Sequence, residues 1–480
     1  MTKTAIRRTL AASVPAAIIA ATAFASASTT VSVPHATLAR PVLGARPVFQ
    51  RVGPLTNKTP RTTFVAGGAT LPALAYEGSN ALSENPSTPS SGSVFGEFLA
   101  LTGVTVQYCQ TGSGFGRDVF EGITSKAGTV NSPCAALGTT PTTSNGFGAP
   151  ASLGLTDPDI TGTDVPMSQT DYSTFVTNKQ ATRGEPVSVP SIIGSVALFY
   201  NGNNTGVSGQ LKLTDAQICS IVEGNITNWN QLSKKYASEP LFFVYRSDGS
   251  GTTFSFSNHL VDVCGGSSGL SVSQAFTAPT GTVSVIGATP PANFVGESGN
   301  VGVATEVADN PGYIGYVESA NALAFESGAT TYALVNGKDP IKNLPETAAQ
   351  FTYSASTVAT DSVVNTNGGA ATVAALSPAP VKAGCVKIAV PAKYADLKDG
   401  YSIIAVTNVL LSTTGNGAAN ASNLRALVDE LNTPADFGSG AITSVDPATK
   451  AKGTGKTGYA ELGSSFNTPL KGLATKCIGT

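Results

Sequence analysis

A chain of 480 residues is too long for one ordinary hydrophobic core and calls for two or more domains. Its 28 Lys and Arg against 30 Asp and Glu leave no basic footprint for nucleic acid, and its sparse aromatics are not interleaved with basic residues as a single-strand stacking platform requires. An apolar fraction of 41% suffices for globular cores, while only 12% charged residues and 52 glycines point to many turns and small-residue contacts.

The N-terminus reads as an export signal. "MTKTAIRRTLAASVPAAIIAATAFASAS" sets Lys3, Arg7 and Arg8 before an apolar stretch and ends in small residues at cleavage spacing, with the cut after Ala25 or Ala27. Residues 1–27 are thus expected to be a signal peptide and residues 28–62 an extended leader or linker. No later apolar run reaches about 18 residues, so membrane insertion of the mature chain is not expected.

From Thr63, short β-like runs alternate with helical ones. "TTFVAGGATLPALAYEGSNALS" reads as strand, Gly-rich turn and helix. "GVTVQYCQTGSGFGRDVFEGI" repeats that layout, with Phe115, Val119 and Ile123 on one helical face. "DITGTDVPMSQTDYSTF" puts Asp164 in a short turn after a strand; taken alone, a loop aspartate is an Asx-turn, and it gains a role only in company. "VSVPSIIGSVALFYN" predicts a buried strand, and "LTDAQICSIVEGNITNWNQL" a helix capped by Thr214 with Ile218, Ile221 and Val222 as its apolar stripe. "PLFFVYRSDGSGTTFSFSNHLVDVC" is again strand, turn and helix, with Phe256, Leu260 and Val263 on one face. "NPGYIGYVE" and "YSIIAVTNVLLS" predict strands and "ASNLRALVDELN" a helix. This alternation implies α/β layers with mainly parallel strands. The Pro/Ser/Thr/Gly-rich stretches 83–93, 139–154, 265–291 and 354–381 read as long loops or inserted hairpins.

Six cysteines, Cys109, Cys134, Cys219, Cys264, Cys385 and Cys477, favour disulfides in an exported chain; 15 pairings are open, and neighbouring pairs are the simplest. No Cys-x-x-Cys spacing occurs and the chain holds only two histidines, His35 and His259, so no metal site is expected. His259 is expected to be a surface or capping residue of its helix.

Three turns share one chemistry: "AGGATL" (66–71), "TGSGFG" (111–116) and "SDGSGTT" (247–253). Their glycines let backbone approach a ligand, and each sets a hydroxyl at the mouth of a helix, where unpaired N–H groups and the positive dipole end favour an anion. Any one such turn is a weak signal, but three can converge on one small tetrahedral ligand. Arg246 offers a planar fork to an oxyanion. Asp248, two residues on, is expected to pair with Arg246, orienting it and muting its charge, or to cap the helix at Ser250. A carboxylate aimed into such a site, for which Asp164 is the candidate, accepts a hydrogen bond from hydrogen phosphate and repels sulfate, which has no proton to offer. Ser113, Ser250 and Thr252 have no histidine within their motifs, so no catalytic residue and no cofactor is assigned.

The motifs "GGATLP", "TGSGFG", "GTDVPMS", "VPSIIGSVALFYN", "ITNW", "YRSDGSGTT" and "PGYIGYVE" stand in the order found in periplasmic phosphate-binding proteins of the PstS type and their long-loop relatives, the DING proteins. The chain resembles that family from Thr63 to Glu318 and more loosely from Tyr401. The resemblance implies a two-lobed type II binding-protein fold of mixed sheets flanked by helices, with the ligand between lobes. Residues 63–195 with 345–480 then form lobe I and residues 196–344 lobe II, with hinges near Ile192–Leu198 and Leu334–Pro345. It further implies that Thr70, Leu71 (through its backbone), Ser113, Ser250, Gly251 and Thr252 donate to phosphate. Arg246 grips an oxygen with Asp248 as its partner, and Asp164 accepts the phosphate proton. Leu71 stands where transporter-type members often carry Phe, as it does in the DING proteins, whose cysteine pairing supports Cys219–Cys264. The implied function is high-affinity capture of inorganic phosphate for an ABC transporter permease, by a monomer in the periplasm or outside the cell. A secreted phosphatase and an extracellular adhesive protein are the alternatives. The long loops and residues 351–400 depart from the compact transporter pattern.

Overall fold

The computed structural model describes residues 60–431 and 457–480, apart from residues 127, 267 and 280. The expected signal peptide and all of the leader before Pro60 lie outside the described residues.

Ten strands form one continuous ladder. They are β1 (Thr63–Gly68), β2 (Thr105–Gln110), β3 (Ile160–Thr163), β4 (Pro186–Asn201), β5 (Phe242–Arg246), β6 (Phe294–Glu297), β7 (Tyr313–Glu318), β8 (Thr330–Tyr332), β9 (Ile404–Ser412) and β10 (Tyr459–Glu461). Their order is β2-β1-β3-β9-β4-β7-β5-β6, with β8 and β10 also pairing to β4. The sheet is mixed, a correction to the mainly parallel expectation. A parallel triplet lies at each end, β2-β1-β3 and β7-β5-β6, and the antiparallel pairings of β9 and β4 join them. The apolar run of β4 specifies burial on both faces but not direction. Direction is set by β9, which returns some two hundred residues later.

All sixteen residues of β4 are buried, and two separate clusters cover its alternate sides. Val196, Leu198 and Tyr200 join the main core, while Ala197 and Phe199 pack with Val244, Val303 and Val317. β4 also changes partner along its length: Pro186–Ser195 pair with β9, and Val196–Tyr200 pair with β7.

The helices that matter for the site are α1 (Ala73–Glu77), α2 (Ser113–Phe120), α3 (Asp215–Val222), α4 (Gly251–Cys264), α5 (Gly299–Asp309), α6 (Ser319–Ala324) and α7 (Ala418–Leu431). α3 starts in a full capping box between Thr214 and Gln217. α1 is shorter than its sequence pattern because Gly78 interrupts it. α2 stops at Phe120, so Phe115 and Val119 share a buried cluster with Phe147 while Ile123 falls in the following turn.

His259 is buried, not at the surface. Its Nδ1 lies 2.9 Å from the Ala395 carbonyl and its Nε2 3.2 Å from Asp215 Oδ1. Residues 391–395 cover that side of α4, and Asn258 Nδ2 donates to the Pro391 carbonyl beside it at 3.0 Å. Sequence periodicity could not see this cover, because it comes from a segment more than 130 residues away.

The disulfides join Cys109 to Cys134, Cys219 to Cys264 and Cys385 to Cys477, the neighbouring pairs. The second ties α3 to α4. The stretch 354–381 supplies short strands: 362–365 pair antiparallel with 372–375, and 358–360 with 387–389. At the leader's end, Arg61 is fastened. Its guanidinium pairs with Asp159 just before β3, and its backbone N–H donates to Asn420 Oδ1 of α7 at 3.1 Å.

Candidate functional site

β1, β2 and β3 run one way and β5 the other, because three antiparallel pairings separate them, and the C-terminal ends of the two sets face each other, so that the turns after three strands meet. β1 leads into Thr70 and Leu71, β2 into Ser113, and β5 into the stretch from Arg246 to Thr252. Asp164 follows β3 at the same end. Gly112 has φ +80° and would place a Cβ 2.6 Å from Asp248 Oδ2, so only glycine lets the second turn lie against the third. The two turns also bond directly, Gly114 N–H donating to the Gly249 carbonyl at 2.9 Å.

Arg246 closes β5 and is 1% exposed. Asp248 takes its fork in a bidentate grip, with Nε 2.7 Å from Oδ1 and Nη2 2.6 Å from Oδ2. Nη1 points the other way, 3.2 Å from Thr70 Oγ1, 3.3 Å from Thr252 Oγ1 and 3.1 Å from Asn300 Oδ1. Burial works against the guanidinium's charge, but Asp248 beside it holds its pKa above the ordinary value. Asp248 Oδ1 also accepts from Gly299 N–H at 3.1 Å, which fastens the ion pair to the mouth of α5. Asp248 therefore pairs with Arg246, while Ser250 is the helix cap, its Oγ accepting from Thr253 N–H at 3.1 Å. Thr70 and Thr252 accept from Nη1; Thr252 Oγ1 also donates to Asn300 Oδ1 at 3.4 Å, while the Thr70 hydroxyl hydrogen is left to be aimed elsewhere.

Asp164 is 1% exposed, and its Oδ1 accepts from Thr407 Oγ1 at 2.5 Å. Its backbone N–H donates to Ser113 Oγ at 3.3 Å. A Cβ at Gly251 would lie 2.5 Å from Asp164 Oδ2 and 2.6 Å from Ser113 Oγ, so the carboxylate and the serine hydroxyl meet at the N-terminus of α4. Burial pushes the Asp164 carboxyl up to about 7, against the opposing pull of the Thr407 hydroxyl and the Arg246 charge. Leu71 is buried against Gly194 of β4, and its carbonyl accepts from Tyr459 OH at 2.5 Å.

The structure thus brings Thr70, Leu71, Ser113, Asp164, Arg246, Ser250, Gly251 and Thr252 to one place, with Asp248 behind the guanidinium. Sequence reading missed two residues there. Thr407 sits in the middle of β9 with no local signal. Asn300 had one: Ser298, Gly299 and Asn300 repeat the small-residue turn between a strand, β6, and a helix, α5. A cleft reaches the site past Thr70, Thr111, Leu137, Gly299 and Asn300. Chemically this is a ring of hydroxyl, backbone and guanidinium donors around one carboxylate acceptor. Among the described residues, no group of three or more His, Cys, Asp or Glu could hold a metal ion.

A family model described as a PBP superfamily domain matches residues 89–375. Alkaline phosphatase L from Pseudomonas aeruginosa is 28% identical over 370 residues, covering 76% of this chain and 78% of that protein. Phosphate-binding protein PstS 3 from Mycobacterium tuberculosis is 28% identical over 208 residues; the match spans 42% of this chain and about half, 51%, of that relative. In fold, the chain is similar to the solved structure of a high affinity periplasmic phosphate-binding protein, PfluDING, with a TM-score of 0.56 at 23% identity over 85% of this chain and 93% of that one. Its fold is likewise similar to that of an ancestral soluble variant of the human phosphate binding protein, with a TM-score of 0.57 at 23% identity over 85% of this chain and 93% of that one. The chain belongs to the PBP superfamily, with PstS-type phosphate-binding proteins among its relatives and a fold similar to that of the DING protein PfluDING.

Proposed function

We propose that this protein is a receptor that captures inorganic phosphate in a dehydrated cleft and hands it to an ABC transporter. The observation that carries this reading is Asp164, a buried carboxylate that meets Ser113 and Gly251 at the mouths of α2 and α4. Hydrogen phosphate can both accept from the ring of donors and donate to Asp164. Sulfate can only accept, and it meets the carboxylate as a like charge. The names of the relatives agree with phosphate as the ligand.

Two lobes close over the anion in this reading: residues 63–195 with 345–480, and residues 196–344. The change of partner along β4 at Ser195–Val196 supports a boundary there, within the hinge segment Ile192–Leu198; Leu334–Pro345 is the second crossing. Thr70, Leu71, Ser113 and Asp164 then come from lobe I, and Arg246, Ser250, Gly251 and Thr252 from lobe II. The receptor acts as a monomer in the periplasm or outside the cell, after removal of the signal peptide, and performs no chemistry on its ligand. Among the described residues no helix is long and apolar enough to cross a membrane.

The likeness to Alkaline phosphatase L favours one second reading, a secreted phosphatase. Titration calorimetry with phosphate, arsenate and sulfate, beside a chromogenic phosphate ester assay with and without added metals, separates the two. The receptor binds phosphate and arsenate, ignores sulfate and leaves the ester intact. Equal binding of sulfate, or ester turnover that disappears in Arg246→Ala, contradicts the receptor reading.

A further inference from the structure

We infer that the side-chain amide of Asn300 is a further donor to the anion, supplied by a fourth helix mouth. The inference rests on the phosphate-binding reading and adds a ligand to that site. Asn300 is the second residue of α5 and is 1% exposed. Its oxygen is identified by its neighbours. Arg246 Nη1, at 3.1 Å, and the Glu318 backbone N–H, at 3.4 Å, can only donate, so the atom they meet must be the amide carbonyl. Thr252 Oγ1 approaches the same oxygen at 3.4 Å. The amide therefore cannot turn over without setting its N–H groups against a cation and a second donor.

This fixes Nδ2 on the other side, where it is buried and meets no acceptor of the protein. A buried donor without a partner is costly, and in native structures such a group calls for an explanation, a bound ion being one. Asn300 lines the cleft together with Thr70 and Thr111, and Thr111 Oγ1 is likewise buried without a partner. Two of its lining residues touch the guanidinium, Thr70 Oγ1 at 3.2 Å and Asn300 Oδ1 at 3.1 Å from Arg246 Nη1, and Asn300 also meets Thr252. An anion oxygen seated among Thr70, Arg246 and Thr252 gives Nδ2 its acceptor.

Asn300→Asp and Asn300→Ala distinguish a ligand from a prop. The aspartate keeps an oxygen for Arg246 and Glu318 but loses the donor; the alanine loses both. If Asn300 only holds Arg246 in place, Asn300→Asp binds inorganic phosphate better than Asn300→Ala. If its amide donates to the anion, the order reverses. We expect Asn300→Ala to weaken phosphate binding by about 10- to 100-fold in calorimetry and Asn300→Asp to weaken it further. Asn300→Asp binding as tightly as wild type, or more tightly than Asn300→Ala, overturns the inference. Should Asn300→Ala fail to fold, the comparison of Asn300→Asp with wild type decides. A wild-type protein that binds no phosphate refutes the receptor itself, a different result.

Discussion

Asp248 grips Arg246 from two residues away, through Nε–Oδ1 at 2.7 Å and Nη2–Oδ2 at 2.6 Å, with both side chains buried. The pair directs Nη1 toward Thr70, Thr252 and Asn300 and keeps a cation tolerable inside the protein before any anion arrives. Removing one partner of a buried pair leaves the other charge uncompensated. Asp248→Ala is therefore expected to lower the unfolding free energy of the ligand-free protein by about 3 kcal/mol. Phosphate then becomes the guanidinium's main partner, so the rise in melting temperature on adding phosphate exceeds that of wild type. Thermal denaturation with and without phosphate checks this; an unchanged phosphate-induced shift contradicts it.

The Asp164 carboxyl, lifted by burial to about 7, makes ligand-free stability depend on pH. The folded state holds this proton more tightly than the unfolded chain, whose carboxyl titrates near about 4. Stability is thus full below that lower value and falls as pH rises toward 7. Glu318, lifted by burial to about 8, carries the same slope further up. Melting curves at pH 5, 6.5 and 8 should show a decline, and Asp164→Asn should flatten its part of it. A wild-type midpoint that rises across this range refutes the assignment.

Asp164→Asn also tests discrimination. The amide keeps an oxygen but no longer repels an unprotonated anion. Sulfate affinity should rise by at least about 10-fold while phosphate affinity falls, read by calorimetry on both anions.

Gly251 has no room for a side chain. A methyl group there meets Asp164 Oδ2 and Ser113 Oγ at about hydrogen-bond distance or less. Overpacking of this kind costs about 1–3 kcal/mol, and in Gly251→Ala it falls on the assembled site. Phosphate affinity is expected to drop about 10- to 100-fold with little change in the circular dichroism spectrum. Wild-type affinity in this variant contradicts the proposed contact between the α4 mouth and Asp164.

The Cys219–Cys264 bridge closes a loop across 45 positions and ties α3 to α4. Replacing both cysteines by serine should cost about 4 kcal/mol of stability, measured by denaturant unfolding. The site itself lies at the other end of α4, so phosphate affinity at 25 °C should be retained.

What was legible in the chain was local. Glycine, hydroxyl and helix-mouth patterns located Thr70, Ser113 and the Arg246–Thr252 stretch, because each is written within a few residues. Asp164 was legible only as a member of that company. Thr407, which bonds Asp164 across 243 positions, carries no local mark, and neither does the segment that buries His259. The direction of β4 is likewise a property of the strand beside it. Asn300 could have been found: its Ser-Gly-Asn turn has the same grammar as the others, but it follows a loop-like stretch that broke the pattern.

The anchoring of Arg61 settles where the body can be held. β3 is four residues long, with Asp159 just before it and Asp164 just after, so the Arg61 anchor and the buried carboxylate lie at opposite ends of one strand. Attachment to a bead, a fluorophore or a surface at the exposed Pro60 thus holds the end of β3 that lies away from Asp164. The same attachment made at the loop around Leu137 would stand in the doorway.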